Sequence, residues 1–218
     1  MLQQRGNNES LYVITTIRDS IRSLPSKVKG DKYDLEKEVI AVLERIGLSK
    51  REPLPSKNGN IGSYVGVLPP SSFVFQPCGS QRSPDILINT GSGCTLGVEL
   101  KSSSDDSIML NSTIAIKTDD FGIPVFYILT SFLNDRSRRI CSVLLGEVFM
   151  PTETTNIMDE HKKDSKELTN KSNKKFREQN TYIQLYPRFM IAPFSHKNYP
   201  GLDEGQEKTL LFLESKCC

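Results

Sequence analysis

The chain has 218 residues, enough for one sizeable core or at most two small domains. Its 37% hydrophobic and 25% charged residues exclude wholesale disorder, and a net charge of +2 is too small to argue for nucleic acid by itself, so any basic surface has to be local. The apolar stretch from Ile123 to Leu133 is broken by Pro124, Thr130 and Ser131 and is too short to cross a bilayer, which excludes a helical membrane span there.

Five cysteines are present, Cys78, Cys94, Cys141, Cys217 and Cys218, with no CxxC pairs at zinc spacing. An odd count and a polar start, MLQQRGNNES, without a secretory signal, read as reduced thiols in an intracellular protein. The terminal Cys-Cys resembles a prenylation tail, but no GxxxxGK[ST] phosphate loop accompanies it, so neither a membrane anchor nor a nucleotide cofactor is expected.

In chain order, Leu11, Ile14, Ile17, Ile21 and Leu24 recur at helical spacing and predict an amphipathic helix over 10–24, with Pro25 just beyond it. A second helix is predicted over 32–47, carrying Leu35, Val39, Val42, Leu43 and Ile46 on one face and stopping at Gly47. Residues 51–70 are rich in Pro, Gly, Ser and Asn and read as a long loop, with room for a short strand at 64–68. A strand is expected over 73–76.

From Ser83 to Ser102 two apolar runs, Ile86–Ile88 and Leu96–Val98, flank a Gly-, Ser- and Asn-rich turn, the pattern of a β-hairpin. Centred near Ser92, this hairpin sets Asp85 opposite Glu99, Ile86 opposite Val98 and Ile88 opposite Leu96. Facing residues of an antiparallel pair share a side of the sheet, and side chains alternate along a strand. Asp85, Glu99 and Lys101 are therefore expected on one face, with Val98 and Leu100 pointing into the other layer.

A polar loop is expected after Lys101, reaching Asn111 to Thr113. The near-continuous apolar runs 125–130 and 140–145 read as inner strands covered on both faces, separated by a segment with Arg136, Arg138 and Arg139. Residues 162–178 carry seven Lys or Arg against three Asp or Glu without a clear apolar period, the mark of a solvated, mobile segment or of a phosphate clamp. A strand is expected over 182–187 and a last strand or short helix over 208–214. The two histidines, His161 and His196, are expected on the surface in polar loops, too few to serve histidine-based nuclease chemistry.

Pro84-Asp85, thirteen residues and then Glu99-Leu100-Lys101 resembles the active-site signature of the PD-(D/E)xK nucleases, the superfamily of most type II restriction endonucleases. The resemblance implies a single α/β domain over 1–218 with a restriction-endonuclease-like core, a central mixed sheet of about five strands with helices on both sides, and a mobile basic insertion over 152–180. It implies Mg²⁺ held by Asp85, Glu99 and the Leu100 carbonyl, hard oxygen donors of the kind this ion prefers, with Lys101 as the catalytic ammonium. LEKEVIAVLERIGL is similar to the first helix of many such enzymes, in which a Glu near the N-terminal end reaches the metal site; Glu36 matches that opening better than Glu38, although acidic residues in a first turn are favoured by the helix dipole in any protein.

The same likeness implies DNA-backbone contacts from Ser102, Ser103 and Asn111, and leaves Arg136, Arg138, Lys174 and Lys175 as further phosphate partners. The expected activity is Mg²⁺-dependent, sequence-specific cleavage of double-stranded DNA by a cytoplasmic homodimer of prokaryotic type. Two other readings stand beside it: a DNA repair nuclease or Holliday-junction resolvase on the same fold, and a non-catalytic nucleic-acid-binding protein in which Asp85, Glu99 and Lys101 form only a structural ion pair.

Overall fold

A computed structural model describes residues 9–24, 35–54, 61–79, 83–103, 107–111, 123–132, 139–149, 152–179, 185, 190–196 and 201–216. The architecture is α/β: a mixed, open sheet of six strands flanked by helices, beside a separate two-stranded ribbon. In sheet order the strands are β1 (Ser49–Arg51), β2 (Ser72–Phe75), β3 (Ile86–Asn89), β4 (Thr95–Ser102), β6 (Val125–Phe132) and β7 (Arg139–Leu145). Neighbours run antiparallel except β1 with β2 and β4 with β6, which are parallel. The sheet has one strand more than the approximate expectation, because the short exposed β1 extends it beyond β2.

Helix α1 (Glu9–Ser23) buries Val13, Ile14, Ile17 and Ile21, an i, i+1, i+4, i+8 stripe that rests on the sheet. Helix α2 (Leu35–Arg45) buries Leu35, Val39, Val42 and Leu43 beside it, and the chain leaves through Gly47 at φ 95°, a conformation glycine adopts without a Cβ clash. Together they cover one sheet face, where Phe73, Ile86, Ile88, Leu96, Val98, Leu100, Phe126 and Ile128 form the main core. Each such side chain, fully buried, stabilises the fold by about 1.5–3 kcal/mol. The opposite face carries a smaller cluster, in which Val74, Leu87 and Ile123 lie under Ile61, Tyr64 and Leu68.

Those last three residues belong to a 3-10 turn (Ile61–Ser63) and the turn after it. Residues 64–68 form no strand: the Val67 and Leu68 N–H groups both return to the Tyr64 carbonyl, and Gly66 turns the chain at φ 74°. A second departure is β5 (Ser107–Asn111), which lies where a polar loop is expected and pairs antiparallel with β8 (Met190–Ser195). Its partner is about eighty residues away in sequence, so no local pattern announces it.

β6 is the inner strand that its apolar run predicts, buried from Val125 to Ser131. β7 is as apolar but lies at the sheet's edge. Its free side is covered instead of paired: Arg22 donates to the Cys141 carbonyl at 3.1 and 2.8 Å, and the Leu145 N–H donates to Thr209 Oγ1 at 2.9 Å. Thr209 belongs to α5 (Leu202–Lys216), so the 208–214 segment takes the helical alternative. An edge so capped offers no template for another strand.

After the short helix α3 (Gly146–Phe149), residues 152–178 form one 27-residue helix, α4, and not an irregular segment. Lys, Glu, Gln and Arg are good helix formers without any apolar face, and Ile157 and Leu168 are each 68% exposed. Asn173, buried near its C-terminal end, pins the helix by exchanging hydrogen bonds of 3.0 and 2.8 Å with the backbone of Leu185. Leu185 is the one described residue of the strand expected over 182–187. No helix among the described residues is long and apolar enough to cross a membrane.

Candidate active site

The β3–β4 hairpin has the register that the sequence predicts: Ile86 faces Val98, Leu87 faces Gly97 and Ile88 faces Leu96. The turn closes with Thr90 N–H to Cys94 C=O at 3.0 Å and Gly93 at φ 84°. Continued toward the open end, the same register sets Asp85 opposite Glu99 and Pro84 opposite Leu100. Gly97 gives its N–H to Pro124, on the β6 side, at 2.8 Å, so the even-numbered residues of β4 turn their N–H and C=O toward β3.

At Leu100 this ladder meets a proline. Pro84 has no N–H to give the Leu100 carbonyl, and the Leu100 N–H is taken by the Asp85 side chain, whose Oδ2 accepts it at 2.7 Å. Asp85 is held from the other side as well, because its own carbonyl accepts from the Gln76 N–H at 2.7 Å. The end of the β3–β4 ladder thus leaves a carboxylate and a main-chain carbonyl side by side.

Glu99 is buried, its side chain only 5% exposed, and both of its carboxyl oxygens are engaged. Lys101 Nζ donates to Oε1 at 2.5 Å and Ser83 Oγ donates to Oε2. Lys101, itself 22% exposed, reaches solvent from the same face. Burial of Asp85 and the facing charge of Glu99 push the Asp85 carboxyl up from 3.8 to about 6, against the opposing pull of the Leu100 N–H and Lys101. Glu36 adds to the upward push, so the first turn of α2 brings a third carboxylate within electrostatic range; Glu38 is not among the groups that act on Asp85.

The remaining residues singled out in the sequence are dispersed. Ser102 is exposed at the end of β4, and Ser103 N–H is tied to the Thr130 carbonyl at 3.0 Å. Asn111 ends β5 opposite Met190. Arg136 and Arg138 lie outside the described residues. Lys174 and Lys175 are exposed on α4, with no ion pair to the hairpin among the described residues.

His161 is exposed, on α4 and not in a loop, whereas His196 is half-buried. Its Nδ1 lies 2.8 Å from Ser131 Oγ, and burial, helped by the nearby Arg22 charge and opposed by a hydrogen bond to the Leu129 backbone, pushes its pKa down to about 4. A polar local sequence hid this, since the burial comes from the turn after β8 meeting β6. The sequence reading also passed over Ser83 and Gln76. Ser83 stands directly before the Pro84-Asp85 pair, and that adjacency was the available signal; for Gln76 there was none.

Among the described residues no group of three or more His, Cys, Asp or Glu side chains is gathered to hold a metal ion. The donor set at the hairpin is of another composition: two facing carboxylates and the Leu100 carbonyl, all hard oxygens, with the Asp85 pKa raised first by burial and then by the Glu99 charge. Such a set fits a small divalent cation. No family model, no curated protein and no solved structure matches the chain.

Proposed function

We propose that this protein is a Mg²⁺-dependent endonuclease of double-stranded DNA, with a PD-(D/E)xK-type site on a restriction-endonuclease-like core. The observation that carries the reading is the convergence of Asp85, Glu99 and Lys101 at the open end of one hairpin, with the Asp85 carboxyl pushed up to about 6 by burial and by Glu99.

Asp85, Glu99 and the Leu100 carbonyl would hold the cation, with Glu36 nearby to complete or balance its charge. When bound, the ion supplies charge neutralisation at the scissile phosphate and a lowered pKa for water. Asp85 is oriented for this by the Leu100 N–H, which donates to its Oδ2 at 2.7 Å. Glu99 holds the Lys101 ammonium in place, and that compact charge would orient the attacking water and stabilise the oxyanion that develops on the phosphate.

Ser102 and the exposed cations of α4, Lys174 and Lys175, are suited to backbone phosphates, where they set position and not sequence choice. One such site per chain cuts one strand, so cleavage of both strands of a palindromic target requires two chains about a two-fold axis.

The test is cleavage of linear phage DNA, supercoiled plasmid and a four-way junction, with MgCl₂ or with EDTA. Discrete bands from linear DNA with Mg²⁺ are expected, and Asp85→Ala or Lys101→Ala should each lower the rate by on the order of a hundredfold or more. Cleavage confined to the junction would point to a resolvase. Folded protein that cuts none of these, or cleavage that survives EDTA or Asp85→Ala, would refute the reading.

A further inference from the structure

The buried Glu99 carboxylate is held from both arms of the hairpin. Its Oε1 accepts from Lys101 Nζ, on its own strand, and its Oε2 accepts from Ser83 Oγ, on the chain that enters β3. An ionised carboxylate has about four lone-pair positions. One donor on each oxygen therefore leaves each oxygen a position for a further partner. The last torsion of a glutamate side chain is broad, so a single donor does not fix the carboxyl plane, whereas two donors on opposite sides do.

The place of Ser83 is itself fixed by the fold. A Cβ added to Gly97 would come within 3.2 Å of Pro84 Cγ and 3.3 Å of Pro84 Cβ, so the bare backbone of Gly97 is what lets Pro84 lie against β4. Gly97 and Glu99 share one face of that strand, because side chains alternate along it. Next in sequence, Asp85 Oδ2 accepts the Leu100 N–H at 2.7 Å. Consecutive residues are thus each seated on β4: the Ser83 hydroxyl on Glu99, the Pro84 ring on Gly97 and the Asp85 carboxylate on Leu100.

We infer that Ser83 is a positioning residue of the cation site, its hydroxyl setting the plane in which Glu99 presents oxygen to an ion shared with Asp85. Ser83 acts through Glu99 and not on the substrate. Without the hydroxyl, the Lys101 ammonium is the remaining donor to Glu99 among the described residues. Attraction between the opposite charges then turns the carboxylate toward Lys101 and away from Asp85, and the ion loses a well-placed ligand. Hydrogen-bond partners of a ligating carboxylate typically contribute about 10–100-fold to metal affinity. The inference rests on the nuclease reading above and adds to it a residue outside the Asp85, Glu99 and Lys101 set.

The experiment titrates the protein with MnCl₂ and follows free Mn²⁺ by its EPR signal, in the absence of DNA, so no turnover is involved. Mn²⁺ takes the same carboxylate and carbonyl donors as Mg²⁺. The parent is expected to bind the ion at a site that Asp85→Ala removes. Ser83→Ala should raise the Kd by on the order of 10–100-fold, while Ser83→Thr, which keeps the hydroxyl and suits the extended backbone before a proline, should stay within about threefold of the parent. Ser83→Cys, which keeps the side-chain length with only a weak donor, should weaken binding in the same direction as alanine and supplies the result if the alanine variant does not fold. A Ser83→Ala or Ser83→Cys protein that binds within about threefold of the parent, or equal weakening by alanine and threonine, overturns the positioning role and leaves the nuclease reading to the cleavage assay. A parent that binds no Mn²⁺ overturns the inference together with the cation site beneath it.

Discussion

Replacing Asp85 by asparagine should make the metal-free protein more stable above pH 6. The Asp85 carboxyl has its pKa raised from 3.8 to about 6 in the fold. The folded state therefore binds this proton more tightly than the unfolded chain does. The resulting stabilisation is complete below pH 3.8 and is lost as pH rises through about 6. At about 1.4 kcal/mol per pKa unit the ionised side chain costs the fold about 3 kcal/mol at pH 8, and water reaching the half-buried group reduces that to about 2 kcal/mol.

Asparagine keeps an acceptor for the Leu100 N–H and carries no charge to face Glu99 and Glu36. For a chain of this length about 2 kcal/mol corresponds to about 4–8 °C in Tm. Thermal melts in EDTA should show Asp85→Asn above the parent by that amount at pH 8, with the gap closing by pH 4. Adding MgCl₂ at pH 8 should raise the parent's Tm and leave the variant's unchanged. A variant that melts at or below the parent at pH 8, or a gap of constant size across the pH range, would refute the account of Asp85 as a carboxylate held at a cost for a cation.

Three further outcomes follow from particular contacts. A Cβ on Gly97 would meet Val125 Cγ2 at 3.1 Å and Pro84 Cγ at 3.2 Å, so Gly97→Val should cost about 1–3 kcal/mol by overpacking and, by displacing Pro84 and Asp85, reduce the Mg²⁺-induced rise in Tm. Tyr64→Phe strips the Leu54 N–H and the Pro77 carbonyl of their shared partner and should cost about 1–3 kcal/mol in urea unfolding, with faster amide exchange at Leu54. Thr209→Val uncovers the Leu145 N–H at the β7 edge and should cost a similar amount, about 1–3 kcal/mol, whereas Thr209→Ser should restore most of it; equal unfolding midpoints for the two variants would remove the capping role.

The hairpin could be read in advance because its information is local. Ile86, Ile88, Leu96 and Val98 alternate with period two, and the small polar residues between them leave one register in which all four reach the core. That register alone implies Asp85 opposite Glu99, and the alternation puts Lys101 on their face. The stripe of α1 and the Gly47 stop of α2 were legible for the same reason.

β7 was not, since its apolar run looks like that of β6 and only Thr209 and Arg22, from distant helices, decide that it is an edge. β5 and β8 were hidden likewise, each being a partner that the other's own sequence does not specify. Within the site, Ser83 comes from a segment rich in turn residues and Gln76 from the end of the strand expected over 73–76, which in the structure stops at Phe75. Their roles arise from where the β2 and β3 ladders end.

Sequence by itself determined which residues share a face, because the two-residue and 3.6-residue periods of strand and helix follow from backbone geometry. Tertiary structure alone decided what those residues experience. Burial of the carboxyl, the charge of the facing Glu99, the Leu100 N–H, the Lys101 ammonium and the approach of Glu36 from α2 together set the charge on Asp85. Desolvation and Coulomb energy depend on distances through space, and spacing along the chain does not fix them.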